Sequence, residues 1–136
     1  PPIRKAPHMS SELPILALYG LICLIIVTFQ AVTAMGQVGL PKLAGPRDDM
    51  PPLTGMAGRL KRTFDNSVVA MVLFAPAILS LAAQDAFTSG TLLAAQIFVV
   101  ARVLYVPAYI SGVPYVRTLI WAAGFLSTAY LYLIAL

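Results

Sequence analysis

The stretch LPILALYGLICLIIVTFQAVTAM, residues 13–35, holds 23 consecutive residues without an Asp, Glu, Lys or Arg. As an α-helix it rises about 34 Å, enough to cross the ~30 Å hydrocarbon core of a bilayer. Three further windows follow at regular spacing. Residues 66–84 carry no charge, residues 86–116 carry only Arg102, and residues 118–136 are again uncharged. These windows predict four transmembrane helices at 12–36, 57–84, 88–111 and 114–136.

The composition agrees. Of 136 residues 60% are hydrophobic, with nine Lys or Arg and five Asp or Glu. An ordinary soluble domain is about a quarter charged, and the mean hydropathy here is +0.87. Such a chain is neither disordered nor a water-soluble globule. The first apolar run is too long for the core of a cleavable signal, lacks a convincing cleavage site and precedes three more spans. One Cys and one His exclude a disulfide framework and a Cys/His zinc cluster. Nine scattered bases form no nucleic-acid-binding stripe, so nucleic acid is not expected as a partner. In a membrane protein a basic excess reports topology instead. Residues 1–8 read as a cloning remnant, because Met9 looks like a natural start and the His8-Met9 pair resembles a restriction-site scar. The remaining chain, 9–136, is expected to form one domain of four helices.

Residues 36–58 contain four Pro and five Gly and are expected to be a real loop, with Arg47, Asp48 and Asp49 at its tip. The other two connections, near 84–88 and 111–114, are short, which forces neighbouring helices antiparallel in an up-down-up-down bundle. Lys42, Arg47, Arg59, Lys61 and Arg62 cluster on one side of the predicted spans. The positive-inside bias then puts the loops after the first and third spans in the cytoplasm, with both termini on the opposite side. In a bacterium this would be the inner membrane.

A charge inside a span is costly and usually faces a bundle interior, a cavity or a partner. Arg102 is the clearest case, and Tyr105 and Tyr109 follow on the same helical face. Two roles are open: pairing with Asp65 or backbone carbonyls, or service to a ligand. In the second span Arg59, Arg62 and Asn66 also share a face, and an amide at the depth of Asn66 needs a hydrogen-bond partner. Asp65 is expected to neutralise a neighbouring Arg. Arg117, next to Thr118, opens the fourth span at the depth of Tyr109 and Arg62. Together these residues predict a basic, tyrosine-lined pocket facing the cytoplasm, suited to a small anionic ligand that also meets lipid-soluble material. Other features read as structural. Pro76 and Pro107 are expected to kink their helices, with freed carbonyls satisfied by neighbours. Cys23 is a small buried apolar residue, Trp121, Tyr130 and Tyr132 are packing or interface-belt residues, and Asp48 with Asp49 are too few for a metal site.

These spacings resemble the MAPEG superfamily, the membrane-associated proteins of eicosanoid and glutathione metabolism. Arg59-x-x-Arg62-x-x-x-Asn66 resembles the family's R-x-x-R-x-x-x-N-x-x-E signature, and Ala101-Arg102-x-x-Tyr105-x-x-x-Tyr109 is similar to a run in leukotriene C4 synthase-like members. Gly36-Gln37-Val38-x-Leu40 and Ala44-x-Pro46-x-Asp48 resemble the first loop of the prostaglandin E synthase branch. The resemblance implies an all-α membrane protein assembled as a homotrimer, with glutathione bound near the cytoplasmic face and lipophilic electrophiles arriving from the bilayer. Carried over, Arg59, Arg62, Asn66, Arg102, Tyr105 and Tyr109 would bind glutathione. Arg117 would stabilise its thiolate, with Thr118 where some members have Ser. Two positions depart from the pattern: Val69 stands where the signature has Glu, and Gly39 where the prostaglandin branch has a ligand-binding Arg. The alternative expectation is a divergent member of the same fold that binds another amphiphile or lipid without glutathione chemistry.

Overall fold

The computed structural model describes residues 11–136, so the remnant expected at 1–8 lies outside the described residues. Four long helices form where the charge-free windows fall. They are α1 (Glu12–Val38), α3 (Gly55–Ala83), α4 (Ser89–Ser111) and α5 (Pro114–Ala135), and each is long and apolar enough to span a membrane. Their ends carry the expected signals. Thr88 and Thr91 form a reciprocal capping box at the start of α4, Pro114 occupies the first turn of α5, and Gly112 closes α4 with φ 78°. The protein is a multi-pass integral membrane protein with an all-helical bundle.

The 36–58 segment departs from expectation in one respect. It contains a five-residue helix, α2 (Leu40–Ala44), where an irregular loop was expected throughout. Gly39, at φ 86° and ψ 150°, ends α1, and Pro41 with its fixed φ restarts the helix two residues later. The rest of the segment is tied back by Gln37. Its amide donates to the carbonyl and hydroxyl of Thr54 at 3.1 and 3.0 Å and accepts from the Thr54 N–H at 2.9 Å. One side chain thus joins the end of α1 to the start of α3.

Neighbouring helices run antiparallel, as short connections require. α1 packs on α3, and α4 packs on α5; α3 and α4 meet across the short diagonal, while α1 and α5 stay apart. Towards the end away from the α1–α3 loop the core is apolar. Phe74 of α3 stacks on Phe98 of α4 with ring centroids 3.8 Å apart, and Tyr19 of α1 meets both rings edge-on. Ile15, Ile78, Leu81 and Leu131 complete it. At the opposite end, which carries Arg59, Lys61 and Arg62 and is here called the basic end, the interior is polar. Thr63, Ser67, Arg102 and Tyr105 are buried there. Large apolar side chains such as Leu24, Phe29, Val72, Leu119 and Leu133 point outward. Lipid is as apolar as a hydrophobic core, so this inverted arrangement suits a membrane. Gly124 of α5 lies against α4, where an added Cβ would meet Arg102 Cδ at 3.7 Å and Phe98 at 3.9 Å, ordinary contact distances.

Pro76 and Pro107 both lie inside helices, α3 and α4. Proline disrupts the hydrogen bonding of the turn before it. The Tyr132 hydroxyl donates to the Leu73 carbonyl in that turn of α3, so Tyr132 satisfies helix backbone as well as packing.

Gly39 lies in a region of backbone space that is essentially glycine-only, where an L-residue costs about 1–3 kcal/mol, whereas Gly36 is helical with nothing within 4 Å of an added Cβ. Thermal unfolding of the detergent-solubilised protein should therefore show a lower midpoint for Gly39→Ala and an unchanged or slightly higher one for Gly36→Ala.

Candidate functional site

Arg102 sits mid-span on α4 and is 3% exposed. Its Nη2 donates to Ser67 Oγ on α3 at 3.2 Å, and its guanidinium carbon lies 4.3 Å from the centre of the Tyr105 ring. Its Nε is buried and has no acceptor. Neither Asp65 nor any other carboxylate reaches it. The ion pair among the described residues is Lys61–Asp65, at 2.9 Å on the exposed face of α3, so Asp65 neutralises a Lys and not an Arg. Residues 1–10 contain no Asp or Glu. A buried guanidinium with a hydroxyl, an aromatic face and no counter-ion is an electrostatically incomplete site.

Ser67 organises this region, although nothing in the sequence marked it beyond a small polar residue four positions after Thr63. Its hydroxyl donates to the Thr63 carbonyl at 2.7 Å while accepting from Arg102, and its carbonyl accepts from the Tyr19 hydroxyl at 2.7 Å. Three helices are thereby locked around the Arg102 head. Asn66, one residue earlier, has a buried Oδ1 with no donor. Asn66 and Arg102 line one cavity of about 340 Å³ between α3, α4 and α5. Its other walls are apolar, with Val69 and Leu73 from α3 and a stacked Trp121–Phe125 pair from α5. Trp121 is therefore a cavity wall, beyond the packing or belt role expected for it.

Towards the basic end the charges continue along α4. Tyr105 and Tyr109 lie 5.8 Å apart between ring centroids. Arg62 of α3 donates from Nε to the Tyr109 hydroxyl at 2.8 Å, and the Arg117 guanidinium of α5 sits 4.9 Å from the same ring. Arg62, Tyr109 and Arg117, placed at one depth by the sequence, are in direct contact across three helices. Because the Tyr109 oxygen accepts from Arg62, its own proton remains available to an acceptor. Neither Arg62 nor Arg117 has a carboxylate partner among the described residues.

The other two expected site residues are engaged elsewhere. Arg59 donates to the Ile110 carbonyl at 2.8 Å, capping the last turn of α4. Thr118 turns its hydroxyl to the Pro114 carbonyl at 3.3 Å on its own helix. Gly39 belongs to the α1–α2 break, and Val69, 58% exposed, stands in the cavity wall. Glu12, buried at the far end of the bundle, accepts from Thr91 Oγ1 at 3.2 Å beside the start of α4, a stabilising position for a carboxylate. No group of three or more His, Cys, Asp or Glu able to hold a metal occurs among the described residues.

The arrangement is thus a line of three guanidinium groups threaded on two tyrosines, with an apolar cavity at its inner end. No curated protein and no solved structure matches the chain. The model of the MAPEG family matches residues 13–136, all four spans and every residue of the cluster. The match and the four-helix membrane bundle agree, and the chain belongs to the MAPEG family.

Proposed function

We propose that the protein is a glutathione-dependent transferase or peroxidase acting on lipophilic electrophiles, as a homotrimer with its basic end in the cytoplasm. The observation that carries this reading is the meeting of Arg62 and Arg117 on Tyr109 without a carboxylate to neutralise them. Glutathione brings two carboxylates and a thiol. Arg62 and the free Tyr109 proton would take a carboxylate, with Tyr105, Asn66 and Arg102 further along the line. Arg59 retains guanidinium donors beside its bond to Ile110. Arg117 would stand near the sulfur. A guanidinium there favours the thiolate, which is the nucleophile, and low-dielectric walls strengthen that preference. Thr118 can still accept at its hydroxyl oxygen, but its proton is committed to the Pro114 carbonyl.

In the transferase step the thiolate attacks an electrophilic carbon, a C–S bond forms, and the leaving group departs with the bonding pair. In the peroxidase step two glutathione thiols reduce a lipid hydroperoxide to the alcohol and water, becoming the disulfide. The lipophilic partner would enter the cavity from the bilayer, past Val69, Leu73, Trp121 and Phe125.

A second reading is a MAPEG protein that binds a different amphiphile without glutathione chemistry. Val69 favours it, because the signature Glu that would meet the ammonium of glutathione is replaced by an apolar wall.

Titration of the solubilised protein with glutathione should give saturable thermal stabilisation and an ultraviolet thiolate absorbance that vanishes in Arg117→Ala. Tyr109→Phe, which deletes an acceptor for Arg62 and a donor to ligand, should raise KM about tenfold with a smaller change in kcat, the loss expected for a hydrogen bond to a charged group. Absence of stabilisation at millimolar glutathione, together with no conjugation of model electrophiles and no hydroperoxide reduction, would overturn the glutathione reading in favour of the second.

A further inference from the structure

The end of α4 and the start of α5 form an elbow in which no residue from Val106 to Ala123 is buried. Tyr109 and Arg117 are both on it. Lipid covers the elbow's apolar side chains equally well wherever they lie, so burial does not fix its place against α3. Hinges stand at two points. Pro107 has no N–H for the turn before it, and Gly112, at φ 78°, turns the chain towards α5. Among the described residues two side-chain hydrogen bonds tie the elbow to α3, both from arginines one helical turn apart. Arg62 holds the Tyr109 hydroxyl at the tip of a side chain. Arg59 holds the Ile110 carbonyl, a main-chain atom between Tyr109 and the Gly112 turn. The neighbouring carbonyls are satisfied within the turn itself, Ala108 by Ser111 Oγ and Tyr109 by the Gly112 N–H. Lys61, on the same stretch of α3, is paired with Asp65 and reaches none of them.

From this we infer that Arg59 is a positioning residue: by holding the Ile110 carbonyl it docks the α4–α5 elbow on α3, and so brings Tyr109 and Arg117 to Arg62 before a ligand arrives. A docked elbow is a preassembled site. With the elbow undocked, the ligand must do the docking itself, and its apparent affinity falls by the fraction of molecules that are competent. As a statement about catalysis the inference rests on the thiol-transfer reading, but the docking it describes does not.

Backbone hydrogen exchange of the detergent-solubilised full chain, read by mass spectrometry without ligand, tests the docking. Arg59→Gln should speed exchange about tenfold or more in peptides from 106–123 and leave α1 and the Phe74–Phe98 core unchanged. Arg59→Lys keeps one donor and should restore most of the protection, while Lys61→Gln should behave as the wild type. Trp121 is the single tryptophan and lies in the elbow, so its emission should shift in Arg59→Gln and not in Lys61→Gln. Pro107→Ala restores the missing N–H in a chain with Arg59 intact and should slow elbow exchange, which keeps a test available should Arg59→Gln not fold. An unchanged elbow in Arg59→Gln, equal acceleration in every helix, or no slowing in Pro107→Ala would each overturn the inference. Glutathione then separates positioning from catalysis. Arg59→Gln should raise KM about tenfold with kcat nearly unchanged, and its thiolate absorbance should recover at saturating glutathione. In Arg117→Ala the absorbance should stay absent at any concentration. A thiolate that does not recover in Arg59→Gln overturns the positioning role. If the wild type shows no glutathione response, the thiol reading fails, and the exchange rates still decide the docking.

Discussion

An arginine held inside a membrane bundle without a counter-ion sets the terms for the basic half of this protein. Placing a guanidinium at mid-span costs about 3 kcal/mol even on permissive insertion scales. The fold offsets part of that with the Ser67 hydroxyl and the Tyr105 ring. Neither carries charge. No carboxylate contributes, because every Asp and Glu among the described residues is elsewhere. Asp65 is bound to Lys61 on the outer face, Glu12 lies at the far end, Asp48 and Asp49 belong to the α1–α3 loop, and Asp85 to the turn between α3 and α4. The polar interior includes Thr63, Ser67 and Tyr19, because the Ser67 hydroxyl that meets Arg102 and the buried Tyr19 hydroxyl each need an acceptor of their own. Helix carbonyls supply those acceptors.

The second structural dependence is the division of the bundle into two halves. At the end away from the α1–α3 loop, Phe74, Phe98 and Tyr19 hold α1, α3 and α4 together through ring contacts. That half behaves as an ordinary packed core and contributes rigidity. At the basic end the helices are held by polar contacts and by cross-links such as Arg59 to Ile110 and Gln37 to Thr54. A rigid apolar base with a polar, charge-rich mouth lets side chains from three helices converge on Tyr109 in a fixed register.

The charge-free windows made the spans legible to within a few residues. Charge exclusion from lipid is a coarse constraint, and it acts on whole windows. The convergence of Arg62, Tyr109 and Arg117 was also legible, because short connections fix the depth of one helix against the next. Which partner each polar atom takes was not legible. Arg59 and Arg62 share a face in the sequence, yet one caps α4 and the other meets Tyr109, a difference decided by where α4 ends. Asp65 was expected to neutralise an Arg, but the i, i+4 neighbour Lys61 lies on its own helix face and wins without any tertiary arrangement. Ser67 left no periodic or motif signal, since a small hydroxyl residue in a span is as often a packing residue as a hub. The helical turn at α2 was masked by the density of Gly and Pro around it, although Pro at a first turn favours a helix.

The two departures from the family pattern have different physical meanings. Gly39 is held in a backbone conformation closed to residues with a side chain, so the absence of Arg there is a property of the α1–α2 break. An Arg at that position would require the loop to be built differently. Val69 is under no such constraint: it is helical, exposed and on the wall of the cavity that Arg102 and Asn66 share. A Glu would fit the backbone, and its carboxylate would lie on the same wall as the unpaired guanidinium. The chain carries Val instead, and the charge of Arg102 remains open. Of the two positions, only Val69 stands on the wall of a cavity, within reach of the region where Arg102 and Asn66 lie.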